Sequence, residues 1–106
     1  MKNLGGMGNI MKQARKLQEE LEKAQAEIAA MKVEATAGGG MVTATVTGQG
    51  QLVGLALEKE VVDPEDVDML TDLVIAAVQE AQNKAQALSQ ERLGPLAQGM
   101  GLPGIG

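Results

Sequence analysis

The 106-residue sequence has no cysteine, no histidine and no aromatic residue. The first absence excludes disulfides and thiol chemistry. The second removes the commonest metal ligand and the usual general base near neutral pH. Without Phe, Tyr or Trp, the interior must be built from Leu, Ile, Val, Met and Ala, and the largest single burials are missing. A domain of this size buries only about two-thirds of its unfolded surface, so the core is expected to be thin and dimerisation is an obvious source of further burial. Lack of aromatics also removes a stacking platform for single-stranded nucleic acid or RNA loops. The longest apolar run, Leu73 to Val78, is far short of the ~20 residues of a membrane span, and no apolar h-region follows the first residues. The expectation is one domain over residues 1–106, cytoplasmic, with no membrane, metal, cofactor or small-molecule substrate.

Charge is present but unevenly spread. The net charge is −5. Residues 1–18 hold Lys2, Lys12, Arg15 and Lys16 and no acid, whereas residues 58–83 hold eight acids and one Lys. Asymmetry of this kind within a short chain points to an interaction end.

Apolar positions at Met7, Ile10, Ala14, Leu17, Leu21, Ala24, Ile28 and Met31 alternate spacings of three and four, the narrow seam of a coiled coil. The spacing predicts a helix over 9–32 with Asn9 as N-cap, preceded by a flexible Gly-rich lead at 1–8. The period then becomes two. Val33, Ala35 and Ala37, a Gly38-Gly39-Gly40 turn, and Val42, Ala44 and Val46 against Thr43, Thr45 and Thr47 form a half-buried hairpin. After Gly48-Gln49-Gly50 a third strand over 51–58 puts Val53, Leu55 and Leu57 on one side and Leu52 and Ala56 on the other. Asp63 as cap and Pro64 as first helical residue start a second helix, which Gly94-Pro95 ends, leaving a flexible tail at 95–106. The fold class is α+β, in the order αβββα, with a three-stranded antiparallel sheet between two long projecting helices. If the helices pack antiparallel, Lys2, Lys12, Arg15, Lys16 and Arg92 collect at one distal tip, with Lys84 further in and the acids at the sheet end. The apolar segments at Leu52, Val53 and Leu55 and at Leu70, Leu73, Val74 and Ala77 are the candidate dimer surface.

Gly8-Asn9-Ile10-Met11-Lys12-Gln13-Ala14 resembles the opening of the YbaB/EbfC family of bacterial nucleoid-associated proteins. Leu70-Thr71-Asp72-Leu73-Val74-Ile75-Ala76-Ala77 resembles that family's second-helix segment, and Gly99-Met100-Gly101-Leu102-Pro103-Gly104 its tail. The similarity spans about residues 5–104. It implies a tweezer-shaped homodimer that binds double-stranded DNA with little sequence preference, located at the nucleoid and affecting nucleoid organisation and gene expression. It further implies that the projecting helices carry the DNA contacts, here Lys2, Lys12, Arg15 and Lys16, then Lys84 and Arg92.

Blander readings compete. The cations could form Arg15–Glu19 and Lys16–Glu20 pairs on a solvated face, although base-before-acid is the weaker order. Gly99-x-Gly101-x-x-Gly104 formally matches a dinucleotide fingerprint but follows no strand and is broken by Pro103. Asp63, Glu65, Asp66 and Asp68 lack the glycine and terminal Glu of a calcium loop. No paired constellation suggests an enzyme. The competing functional class is a dimeric adaptor that clamps another protein between its helices, which a gel shift on random duplex DNA would separate from a DNA-binding role.

Overall fold

The structure is a computed structural model that describes residues 2–99, with side chains described over 7–98. The order is α1 (Lys2–Ala30), β1 (Lys32–Ala37), β2 (Val42–Thr47), β3 (Leu52–Leu57), a 3-10 turn at Lys59–Val61, and α2 (Val67–Gly99). This is the α+β arrangement read from the sequence. The three strands form one antiparallel sheet in the order β1-β2-β3.

The hairpins turn where the glycines stand. Gly38, Gly39 and Gly40 have φ of 63°, 67° and 93°, a region that side chains with a Cβ rarely enter. The register runs Lys32↔Thr47 to Ala37↔Val42 between β1 and β2. Val33, Ala35, Val42, Ala44 and Val46 are buried while Glu34 and Thr36 are exposed, as strict alternation requires. Between β2 and β3 the register shifts at Thr45/Val46, so that Thr45 faces Gly54 and Val46 faces Leu52. This bulge leaves Val53 as the extra residue. It also corrects the expected facing of β3. Leu52, Leu55 and Leu57 lie opposite Val46, Ala44 and Val42 and so share their face of the sheet, whereas unbroken alternation placed Leu52 on the other side.

Helix α2 lies across β1 and β2. Ala77, Ala81 and Ala85, four residues apart, are fully buried against the valines of the sheet, with Leu70, Leu73, Val74 and Val78 packed around them. Small residues at i, i+4 spacing bring the helix backbone close to the strands. The largest fully buried side chains are only Val42 and Val46, the thin core that a chain without aromatics can make.

Both helices depart from their expected ends. α1 takes in residues 2–8, and Asn9 lies inside it. A helical glycine costs about 1 kcal/mol, which weakens a helix without forbidding it. α2 starts at Val67 rather than Pro64. Asp63 is satisfied locally, its Oδ1 accepting from the Glu65 amide at 2.9 Å and its carbonyl from the Asp66 amide at 3.0 Å. Asp66 then caps the helix by accepting from the Met69 amide at 3.3 Å. At the other end, α2 runs through Gly94 and Pro95 to Gly99. Packing overrides the local stop signal there. Ala97 is buried and Leu93 and Leu96 are half-buried, with Leu96 lining a cleft against α1. Gly94, lacking a Cβ to meet the proline ring, lets the chain stay helical before Pro95. Residues 100–106 of the expected flexible tail lie outside the described residues.

Pro95 still forfeits a helical hydrogen bond. Pro95→Ala is expected to raise unfolding free energy by about 2 kcal/mol, the interior proline penalty less the entropy proline removes from the unfolded chain. Denaturant titration checks this, and unchanged or lower stability would show that the last turns of α2 add nothing to the fold.

Candidate functional site

The molecule measures 78 × 23 × 16 Å, longer than either helix alone at roughly 44 and 50 Å by 1.5 Å per residue. The helices are antiparallel and staggered. Arg92, Pro95 and Leu96 of α2 line one cleft with Glu20, Lys23 and Ala24 of α1, and Arg92 pairs with Glu27. Ala24 and Ile28 of the α1 seam are buried, and Leu17 and Leu21 are half-buried. α2 is described for three residues past Leu96, under one turn, so the part of α1 before Leu17 stands clear of it. Met7, Ile10 and Met11 are 60–65% exposed there.

This free arm carries Lys12, Arg15 and Lys16, all exposed. At 3.6 residues per turn they lie more than about 120° around the helix from the seam of Ile10, Ala14 and Leu17, and therefore face outward. The competing i,i+4 pairs are not made: among the described residues the only ion pair is Arg92–Glu27. The acids Glu58 to Asp72 sit at the other end of the molecule. The Glu58 amide donates to the Met41 carbonyl at 2.8 Å, beside the Gly38–Gly40 turn and a strand length away from where α1 joins β1. Some 40 Å of helix and strand rise separate Arg15 from that cluster.

The structure does not bring all six candidate cations together. Arg92 is correctly on the arm side but level with Glu27, which it pairs, so it does not reach the tip where antiparallel packing without stagger would put it. Lys84 lies at the sheet, its Nζ donating to the Glu34 carbonyl at 3.4 Å. Lys2 begins α1, and its side chain lies outside the described residues. Lys12, Arg15 and Lys16 form the compact group.

One residue that sequence reasoning read only as part of a turn sets the arm's direction. The Gly48 amide donates to the carbonyls of Ile28 at 3.0 Å and Met31 at 3.2 Å, tying the β2–β3 turn to the last turn of α1. The approach is so close that a Cβ on Gly48 would stand 2.2 Å from the Ile28 oxygen. The Gly in the pattern was visible, but nothing local could say that a helix end would press on it. Beside this turn, Gln82 donates to the Gly50 carbonyl at 3.0 Å.

The candidate dimer residues divide. Ala77 is fully buried inside the chain and has no surface left for a second copy, and Leu70, Leu73 and Val74 are largely spent on the same core. Leu52, Val53 and Leu55 are 44–51% exposed. β3 is an edge strand without a charged residue between Leu52 and Leu57. The other edge, β1, carries Lys32 and Glu34 and receives Lys84, the kind of protection edge strands normally have.

Set beside known proteins, residues 2–100 match the model of the YbaB/EbfC DNA-binding family. The chain is 54% identical to a nucleoid-associated protein of Streptomyces avermitilis over 93% of this chain and 88% of that one. It is 50% identical to one of Rhodococcus jostii, covering 93% and 90%, and 44% identical to one of Alkaliphilus metalliredigens, covering 93% and 87%. The crystal structure of an uncharacterised Helicobacter pylori protein has the same fold, with a TM-score of 0.60 at 21% identity over 82% of this chain and 96% of that one.

Proposed function

This chain belongs to the YbaB/EbfC DNA-binding family, and from that premise we propose that it is a nucleoid-associated protein that binds double-stranded DNA as a homodimer. The observation that carries the reading is the free arm of α1, with Lys12, Arg15 and Lys16 exposed, outward-facing and remote from the acids. Phosphates are the ligand such a group fits. Phosphate contacts fix position without reading bases. Binding carried by such contacts varies little from one sequence to another, which suits organising the nucleoid and broad effects on gene expression.

The dimer forms through β3. Its unprotected edge and the ledge of Leu52, Leu55 and Leu57 that α2 leaves uncovered match a second copy of themselves about a two-fold axis, with Val53 at the bulge beside them. The two arms then project from a joint sheet. Leu55 is half exposed in the single chain, so Leu55→Asp is expected to leave the subunit folded while dropping the mass in light scattering from twice the 11.0 kDa chain to one chain. A variant that stays dimeric at micromolar concentration would move the interface elsewhere.

The DNA reading is tested by fluorescence anisotropy on a random-sequence duplex at stepped salt. If the three cations of each arm meet phosphates, six per dimer, log K falls against log salt with a slope of about −5. No binding at low salt would leave the adaptor role as the better account.

A further inference from the structure

The free arm has a second face. Met7 and Ile10 are more than half exposed and Ala14 is exposed, and with the half-buried Leu17 at their inner end they continue, at spacings of three and four, the seam by which α1 packs on α2. This pattern takes a helix as its partner. α2 has no more helix to give at this level among the described residues, and the chain beyond it, rich in glycine with Pro103, has poor helix-forming residues. A second α1 arm does fit.

We propose that the uncovered seam of one arm docks antiparallel on the same seam of a second copy, joining two DNA-bound molecules. In heptad terms Met7 and Ala14 are a positions and Ile10 and Leu17 are d. Antiparallel pairing layers a on d, which sets Met7 of one copy against Leu17 of the other and Ile10 against Ala14, large on small. The flanking positions are Met11 and Gln13, so no charge is buried. Lys12, Arg15 and Lys16 take the outermost positions and stay available to phosphate on both outer sides of the pair. Each copy supplies only four seam residues, so the contact is weak alone, and the like charge of two free arms opposes it. Phosphate neutralises that charge, so pairing strengthens on DNA. A two-fold contact at the arms added to one at the sheets makes an open chain of dimers, able to hold two duplexes together. The bridging half rests on the DNA reading above; the arm contact does not.

The chain has no native cysteine, so Ile10→Cys and Ala14→Cys report the contact directly. Mixing the two variants under mild oxidation, in salt high enough to screen the arms, is expected to give at least fivefold more cross-linked product than either alone. In a capture assay, with one duplex on beads and a second in solution, the charge-neutral Ile10→Gln is expected to lower retention of the second duplex at least tenfold while single-duplex affinity stays within twofold. No cross-link, or cross-links only after removal of residues 100–106, would overturn the proposal, the latter by making the chain's own tail the occupant. Undiminished capture by Ile10→Gln would overturn it equally. Cross-linking in a protein that binds no duplex would uphold the arm contact and reject the DNA reading alone.

Discussion

Gly48→Ala is expected to lower stability by about 3 kcal/mol or more, shifting the melting temperature of this small domain down by at least roughly 12 °C. The added methyl group would sit 2.2 Å from the Ile28 carbonyl oxygen and 2.7 Å from its Cγ2, and the first of these is backbone that cannot rotate away. To admit it, the β2–β3 turn must withdraw from α1, and both hydrogen bonds from the Gly48 amide go with it. That leaves the Met31 carbonyl without this donor and the Ile28 carbonyl with the Met31 amide alone, at 3.1 Å. The φ of Gly48 is not positive, so the loss would come from the close approach and not from backbone strain. Gly8→Ala is the control: it lies in α1 with nothing within 4 Å of the new atom and should be neutral or stabilising by up to about 1 kcal/mol. A Gly48→Ala protein melting within 3 °C of the parent, about half the shift of 1 kcal/mol, would show that the turn and helix are not tied together as drawn.

The second large effect concerns affinity. Replacing Lys12, Arg15 and Lys16 together with alanine should flatten the salt slope from about −5 to near −1 or shallower, and weaken binding more than a hundredfold at low salt, since most of the counterion release is lost. The three side chains are exposed and form no ion pair among the described residues. Alanine also favours helix, so thermal stability should hold or rise, which separates lost contacts from lost fold. By the same reasoning Lys84→Ala, at the sheet, should change the slope by less than one. An unchanged slope in the triple variant would reject the arm as the contact surface, and a large effect of Lys84 alone would move that surface towards the sheet.

The strand alternation, the triple-glycine turn and the α1 seam were readable in the sequence because each is a local pattern with one physical meaning. The extent of α2 was not. Gly94-Pro95 is a stop signal by any local rule, and the burial of Ala97 together with the packing of Leu96 beside α1 outweighs it. The side on which Leu52 lies depended on a bulge at Val53; Gly54 beside it is the kind of residue that marks one, but a glycine alone does not say where the extra residue falls. Among the site residues, the outward face of Lys12, Arg15 and Lys16 follows from the register of Ile10 and Leu17. Arg92 could not be placed in the same way, because its pairing with Glu27 is set by how far one helix is staggered along the other. That stagger belongs to the packed tertiary structure.

The spacing of the two charged ends resolves how an acidic chain can approach a polyanion. At physiological ionic strength the Debye length is about 8 Å, several times shorter than the interval between Arg15 and the Glu58–Asp72 cluster. The repulsive end is thus screened from DNA while the attractive end is in range. The same separation gives the chain a permanent dipole along its long axis, and the field of DNA turns such a rod tip-first before contact. Encounter rates should accordingly follow the local potential at the arm and be nearly indifferent to the sign of the whole molecule.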